Sequence, residues 1–239
     1  MYLYKTGIPM IDREFGGLRA ATNILVLAPP LAYAEHLAYR ITCPQSGEWT
    51  VAITTDERVA VVADVFKGAG VNMSHIGFID AVTKTSVPTL QDTAKVKFVT
   101  SPRDLTNMGI KFFRMVEYMW KEGVMADPPG PMPPPVRLCV NSVSTLLLYA
   151  RLEVTFKFLH VITNRVKKIE GIGVYVLNSE SFDEKIIATI KQLMNIVIEV
   201  RTDDGRQPVE RSFRVIGIRG RTTPWIRYFY DDDILTIEG

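Results

Sequence analysis

The sequence predicts an α/β domain, a twisted and mostly parallel sheet with helices on both faces, formed as one unit over residues 1–239. Short continuous apolar runs mark strands buried on both faces: 23–28 (NILVLA), 50–54 (TVAIT) and 137–141 (RLCVN). Segments with apolar residues at helical spacing alternate with these runs, the order that builds a parallel sheet. Over 239 residues the chain is 47% hydrophobic and 23% charged, which excludes a disordered chain and suffices for a large core.

The elements follow in order. After the first strand, residues 31–39 read as a short helix, and 50–54 as the second strand. A helix through Val59, Val62, Val65 and Phe66 ends at Gly68 and Gly70, glycine being the usual helix stop. Residues 75–80 (HIGFID) form a third strand. Ser101-Pro-Arg-Asp104 reads as a helix start with Ser as N-cap and Pro at the first helical position. Leu105, Met108, Phe112, Met115 and Met119 continue that helix to Gly123.

Residues 127–135 (DPPGPMPPP) hold six of the fourteen prolines, so they can be neither helix nor central strand. They read as a stiff loop within one domain. After the strand 137–141, one long helix takes Leu148, Leu152, Phe156, Leu159, Ile162, Val166 and Ile169 on one face. Strand 173–177 follows, then Ser181-Phe-Asp-Glu184 as a capping box for a helix through Ile186, Ile187, Ile190 and Leu193. Strands 196–200, 212–218 and 234–237 lack intervening helices and form an antiparallel extension at one sheet edge.

Composition narrows the function classes. A net charge of +2 gives no global basic field of the kind that imposes a nucleic-acid reading. Two cysteines, Cys43 and Cys139, make no disulfide framework and fit a reducing cytoplasm. His36, His75 and His160 are scattered without metal-ligand spacing, so no metal is expected. The start 1–5 (MYLYK) lacks the pattern of a signal peptide, and no apolar run reaches the ~18 residues of a bilayer span.

The opening carries the most specific pattern. Thr6-Gly-Ile-Pro-Met-Ile-Asp12 precedes Phe15-Gly-Gly17, then the strand NILVLA, then Pro29-Pro30. This order resembles the KaiC-like branch of the RecA superfamily of P-loop ATPases, whose archaeal members include RadA-like recombinases and their paralogues. The resemblance covers roughly residues 5–239 and implies a RecA-like fold, an archaeal origin and side-to-side assembly.

In that branch the strand leads into G-P-P-G-x-G-K-[ST], the Walker A loop. Here the stretch is Ala28-Pro29-Pro30-Leu31-Ala32-Tyr33-Ala34-Glu35. Leu31 and Tyr33 stand at glycine positions, and Ala34 and Glu35 at those of Lys and Ser/Thr. Glycines let backbone N–H groups converge on phosphate, the Lys reaches the β- and γ-phosphates, and the hydroxyl binds Mg²⁺. Side chains at Leu31 and Tyr33 are expected to fill the cradle, and Glu35 to repel a triphosphate.

Arg137-Leu-Cys-Val-Asn-Ser-Val-Ser-Thr-Leu-Leu-Leu-Tyr149 resembles the family's Walker B strand, R-hhh-D-S-h-S-x-L-L-L-Y, with neutral Asn141 at the Asp position. Losses at both positions argue against ordinary ATP hydrolysis. Glu57 aligns with the family's water-activating glutamate, Asp56 being the alternative, and an acidic helix start is the plainer account of both. Asn178-Ser179 matches the strand end that senses the γ-phosphate. In 213–221 (FRVIGIRGR) Gly217 replaces the family's Lys and Arg219 matches the Arg that reaches a neighbour's nucleotide. Arg219 then reads as a relic finger, an ion-pair partner or an anion contact.

The late segment is rich in Arg201, Arg206, Arg211, Arg214, Arg219, Arg221 and Arg227, with aromatics Trp225, Tyr228, Phe229 and Tyr230. Arg214, Arg219, Arg221, Trp225 and Arg227 are candidates for single-stranded nucleic acid or for a protein partner, and a charge-blunted edge is the structural alternative. Asp231-Asp-Asp233 would repel a phosphate backbone. The expectation is a non-catalytic pseudo-ATPase, without cofactor, acting in a homo-oligomer or with an active relative. Two alternatives stand: an ATP-binding switch or slow ATPase holding ATP and Mg²⁺ in a non-standard loop, and a nucleic-acid module.

Overall fold

The computed structural model describes residues 2–125, 133–203, 205, 209–231 and 234–238. In chain order it forms β1 (Leu3–Tyr4), α1 (Pro9–Glu14), β2 (Leu18–Arg19), β3 (Thr22–Ala28), α2 (Ala34–Thr42), β4 (Trp49–Thr54), α3 (Val59–Gly68), β5 (Ile76–Asp80), α4 (Thr83–Ser86), β6 (Val96–Phe98) and α5 (Leu105–Met125). It continues with β7 (Val136–Val140), α6 (Val143–Tyr149), α7 (Leu152–Lys168), β8 (Ile172–Asn178), α8 (Glu184–Lys191), β9 (Ile196–Asp203), β10 (Glu210–Ile218), β11 (Arg221–Thr222), β12 (Ile226–Asp231) and β13 (Ile234–Ile237).

One sheet runs in the order β13-β12-β10-β9-β3-β8-β7-β4-β5-β6. The strands from β9 to β6 are parallel, and β10, β12 and β13 extend the sheet antiparallel from β9. The α/β class, the parallel sheet and the antiparallel extension are as the sequence predicts. Leu37 and Tyr39 of α2 and Val62 and Phe66 of α3 cover one face, against Ile24, Val26, Ala52 and Val174. Met108, Phe112 and Met115 of α5 and Leu159 and Ile162 of α7 cover the other, against Leu25, Val51, Ile53 and Leu138. Each such side chain, fully buried, contributes about 1.5–3 kcal/mol of transfer free energy.

The opening motif has a structural reason. The Asp12 carboxylate accepts the N–H groups of Thr6 (2.8 Å) and Gly7 (2.9 Å), closing the turn into α1. Gly17 takes φ +110° with the Tyr4 carbonyl so close that a Cβ would meet its oxygen at 2.3 Å. Arg137, fully buried in β7, donates to Glu48 (2.6 Å) and to the carbonyls of Lys5 and Ile41, so it ties the N-terminal segment to α2 and β4.

Several local expectations are corrected. The helix expected over 31–39 is α2, which spans 34–42, because left-handed backbone at Leu31 and Tyr33 delays its start. Asp104, accepting from the N–H of Asn107 at 3.2 Å, caps α5, while Ser101 only closes the turn before it. Helix α5 passes Gly123, where the Pro134 ring packs so close that a Cβ would meet it at 2.3 Å. The single helix expected over 148–169 is two, α6 capped by Ser142 and α7, separated by extended backbone at Ala150 and Arg151. Leu148 is consequently 75% exposed.

Asp183 caps α8 through the N–H of Ile186 at 2.8 Å, so the expected capping box does not form. Strand β12 was not foreseen: its inward residues Ile226 and Tyr228 alternate with charge, and the segment reads as basic and aromatic. Of the proline loop, residues 127–132 lie outside the described residues, and Pro135 accepts the N–H of Trp49. Among the described residues no helix is long and apolar enough to cross a membrane.

Candidate functional site

The parallel strands end together at Ala28, Thr54, Asp80, Val140 and Asn178, the edge where open α/β sheets bind ligands. Beyond Ala28 the chain turns through Pro29 and Pro30, then takes left-handed backbone at Leu31 (φ +60°) and at Tyr33 (φ +54°). A left-handed conformation costs a non-glycine residue about 1–2 kcal/mol. These are two of the three positions where the resembled loop carries glycine, so this part of the turn keeps a glycine-like path without glycine. Ala32 and Ala34 are buried.

The side chains do not fill the cradle as expected. Leu31 is 82% exposed. Tyr33 leans to the C-terminal strands, its ring stacked on Tyr230 at 4.3 Å and 25°, with the Arg211 guanidinium 4.9 Å from its centroid. The Tyr228 hydroxyl donates to the Ala32 carbonyl. His36 completes the cluster, 4.2 Å from the Tyr230 ring and 5.6 Å from Tyr39. Alternation along β12 points Tyr228 and Tyr230 to the same side, and that period was the signal available in the sequence.

Beside the loop, acid accumulates. Burial raises the Glu35 carboxyl, and repulsion from Glu57 and Asp56 adds to it. Burial also raises Glu57, with Asp56 reinforcing it and the Tyr39 hydroxyl (3.2 Å) opposing. Asp56 is exposed by area yet surrounded densely enough that desolvation raises it, against hydrogen bonds from its own backbone, Ser142 and Asn141. Among the described residues none of the three carboxylates pairs with a Lys or Arg.

Asn141 is fully engaged: its Oδ1 accepts from the Thr55 N–H (2.9 Å) and hydroxyl (3.2 Å), and its Nδ2 donates to Tyr39 (3.3 Å). Asn178 caps the turn after β8 through the N–H groups of Glu180 and Ser181. An Mg²⁺-bound triphosphate does not fit these residues. Ala34 and Glu35 stand where the resembled loop has its Lys and hydroxyl, and Asp56 and Glu57 add negative charge near Glu35. Among the described residues no group of three or more His, Cys, Asp or Glu is placed to hold a metal ion.

The basic candidates divide. Arg219 lies at the opposite end of the sheet, on the turn between β10 and β11. It adopts φ +50° and donates to the Phe15 carbonyl of its own N-terminal segment. Arg221, exposed, is the first residue of β11 after that turn. Arg214, Trp225 and Arg227 share the outer face of the antiparallel strands with Arg201, and Arg214 is paired to Glu199 at 2.6 Å. Asp204, Arg206, Asp232 and Asp233 lie outside the described residues.

A family model described as "Family of unknown function (DUF7504)" matches residues 21–200, three quarters of the chain. The chain belongs to that family. No curated protein matches it. Two solved structures from the archaeon Pyrococcus horikoshii align over almost their whole length. A KaiC-like protein superposes with TM-score 0.68 at 14% identity, covering 100% of this chain and 99% of its own. An uncharacterised protein, solved in complex with an unknown peptide, superposes with TM-score 0.72 at 15% identity, covering 98% and 99%. At such identity the likeness establishes the fold, which is that of KaiC-like proteins. The part of the DUF7504 chain matched by the family model includes the loop 29–35, Asp56, Glu57 and Asn141, and stops before Arg201.

Proposed function

We propose that this DUF7504 chain is a non-catalytic, KaiC/RecA-like pseudo-ATPase that acts as a regulatory or assembly subunit through protein–protein contacts. The observation that carries the reading is that Ala34 and Glu35 stand where the resembled loop has Lys and Ser/Thr, with Asp56 and Glu57 near enough to raise the Glu35 carboxyl further. Converging like charges there disfavour a tetra-anion by a few kcal/mol, which is orders of magnitude in affinity. The Tyr33–Tyr230 stack further ties the loop to the C-terminal strands, so its shape is used for packing. A neighbour of the same fold was solved with a peptide bound, which accords with a role in protein contacts.

One observation favours a second reading, an ATP-binding switch: the loop backbone is left-handed at Leu31 and Tyr33, two of the pattern's glycine positions. Calorimetric titration of the purified chain with ATP and ADP, with and without Mg²⁺, decides between them. No heat of binding at millimolar nucleotide is the expected result. Binding at micromolar nucleotide would overturn the pseudo-ATPase reading.

A further inference from the structure

Strands β9, β10 and β12 turn one face to the core through Val200, Phe213 and Tyr228, and carry Arg201, Ser212, Arg214 and Arg227 on the other. On that outer face Ser212 lies across from both Arg201 and Arg227, and Arg214 across from Glu199. The Trp225 ring sits among the cations, with the Arg201 guanidinium 4.0 Å and the Arg214 guanidinium 4.7 Å from its centroid. A cavity of about 510 Å³ opens here, lined by Arg201, Asp203, Glu210, Ser212, Trp225 and Arg227, and by Arg211, whose guanidinium lies 4.9 Å from the Tyr33 ring centroid. That volume is within the roughly 300–1,000 Å³ of ligand-sized pockets.

The charges divide into used and unused. Arg214 is neutralised by Glu199 through Nε (2.7 Å) and a terminal nitrogen (2.6 Å). Asp203 and Glu210 are both engaged within the chain. Among the described residues Arg201 makes one side-chain hydrogen bond, from Nε to the Ser212 hydroxyl at 3.0 Å, and Arg227 makes no ion pair. Two guanidiniums on one strand-pair face are therefore left for an anion, beside the apolar surface of an indole. Guanidinium forks match carboxylates in plane and spacing.

We infer that this cavity is a docking site for an acidic peptide segment of a partner protein, with its carboxylates on Arg201 and Arg227 and a neighbouring side chain against Trp225. A single-stranded nucleic acid fits less well, because Asp203 and Glu210 line the same cavity and meet a chain charged at every nucleotide, whereas a peptide places its charge locally. The inference rests on the interaction-subunit reading only in requiring a partner. The nucleotide titration above tests that reading without touching this face.

The test titrates the whole chain, at low salt, with a capped hexapeptide Gly-Ser-Glu-Glu-Ser-Gly, its Gln-Gln counterpart and a twelve-nucleotide oligo-dT, reading calorimetric heat and tryptophan emission. The Glu-Glu peptide is expected to bind with Kd of about 0.1–1 mM, at least about tenfold tighter than the neutral peptide. Arg227→Glu and Arg201→Met should each weaken it about tenfold with unchanged melting temperature, and Trp225→Phe should abolish the emission change. Equal binding of the two peptides, no binding at several millimolar, or indifference to Arg227→Glu would overturn the inference. Oligo-dT binding that is lost in Arg227→Glu while the acidic peptide does not bind would assign the face to nucleic acid instead.

Discussion

The ring of Tyr33 lies on that of Tyr230, with centroids 4.3 Å apart and planes 25° from parallel. One ring belongs to the loop after the first long strand, the other to a strand nearly two hundred residues later. Such a pair couples by about 0.5–1.5 kcal/mol beyond its buried area. A double-mutant cycle with Tyr33→Ala and Tyr230→Ala, followed by denaturant unfolding, should return a coupling in that range. Strict additivity would mean that the stack does not hold the loop.

Leu31 carries left-handed strain and, at 82% exposure, loses little packing when truncated. Leu31→Gly should therefore stabilise the fold by roughly 0.5–1 kcal/mol, while Leu31→Ala stays near neutral. Thermal melting of both variants separates relief of strain from loss of side chain. A Gly variant less stable than the Ala variant would contradict the left-handed turn.

The Arg137–Glu48 pair is buried at 2.6 Å, with both side chains at 1% exposure or less. Arg137→Met strands a buried carboxylate and should destabilise by about 3–5 kcal/mol. Adding Glu48→Leu should recover a large part of that loss, although the carbonyls of Lys5 and Ile41 stay unserved. Chemical denaturation of the single and double variants measures both.

Glu35, Asp56 and Glu57 all have raised carboxyls, burial being the first cause in each. A carboxyl raised in the folded state holds its proton more tightly there than in the unfolded chain. Stability from these groups is therefore present on the acid side and is lost as pH rises from the ordinary carboxylate value through the raised one. Glu35→Gln should melt at a higher temperature than the parent at neutral pH, with the gain vanishing below about pH 4. A gain independent of pH would point to packing instead.

Restoring the family's acid by Asn141→Asp should not restore nucleotide binding. It adds a fourth carboxylate and removes the donor that Tyr39 accepts, a loss of about 1–3 kcal/mol in stability. Calorimetry with ATP and Mg²⁺ on the variant checks the first statement and melting the second. Micromolar ATP binding by this variant would show that Asn141 alone had blocked the site.

Strands were legible wherever burial on both faces made the run continuously apolar, as in 23–28 and 50–54. Helix boundaries were less so. Gly123 reads as a stop, but its meaning is the close approach of Pro134, which no local pattern reveals. The break at Ala150 and Arg151 was hidden because the apolar spacing runs on across it. At the site, the absent Lys and glycines could be read directly, whereas the directions taken by Leu31 and Tyr33 could not.

The sequence by itself determined the α/β class, the alternation of the main buried strands with helices, and the loss of the phosphate-binding residue types, because strand and helix periods and residue identities are local properties. Only the tertiary structure decided that Tyr33 meets Tyr230, that Glu35 comes within electrostatic reach of Asp56 and Glu57, that Arg219 is bound to Phe15, and that Arg201, Trp225 and Arg227 share one cavity. Those relations join residues distant in the chain. They are set by strand register and by the crossover that brings β9 beside β3, and neither is written in any one segment.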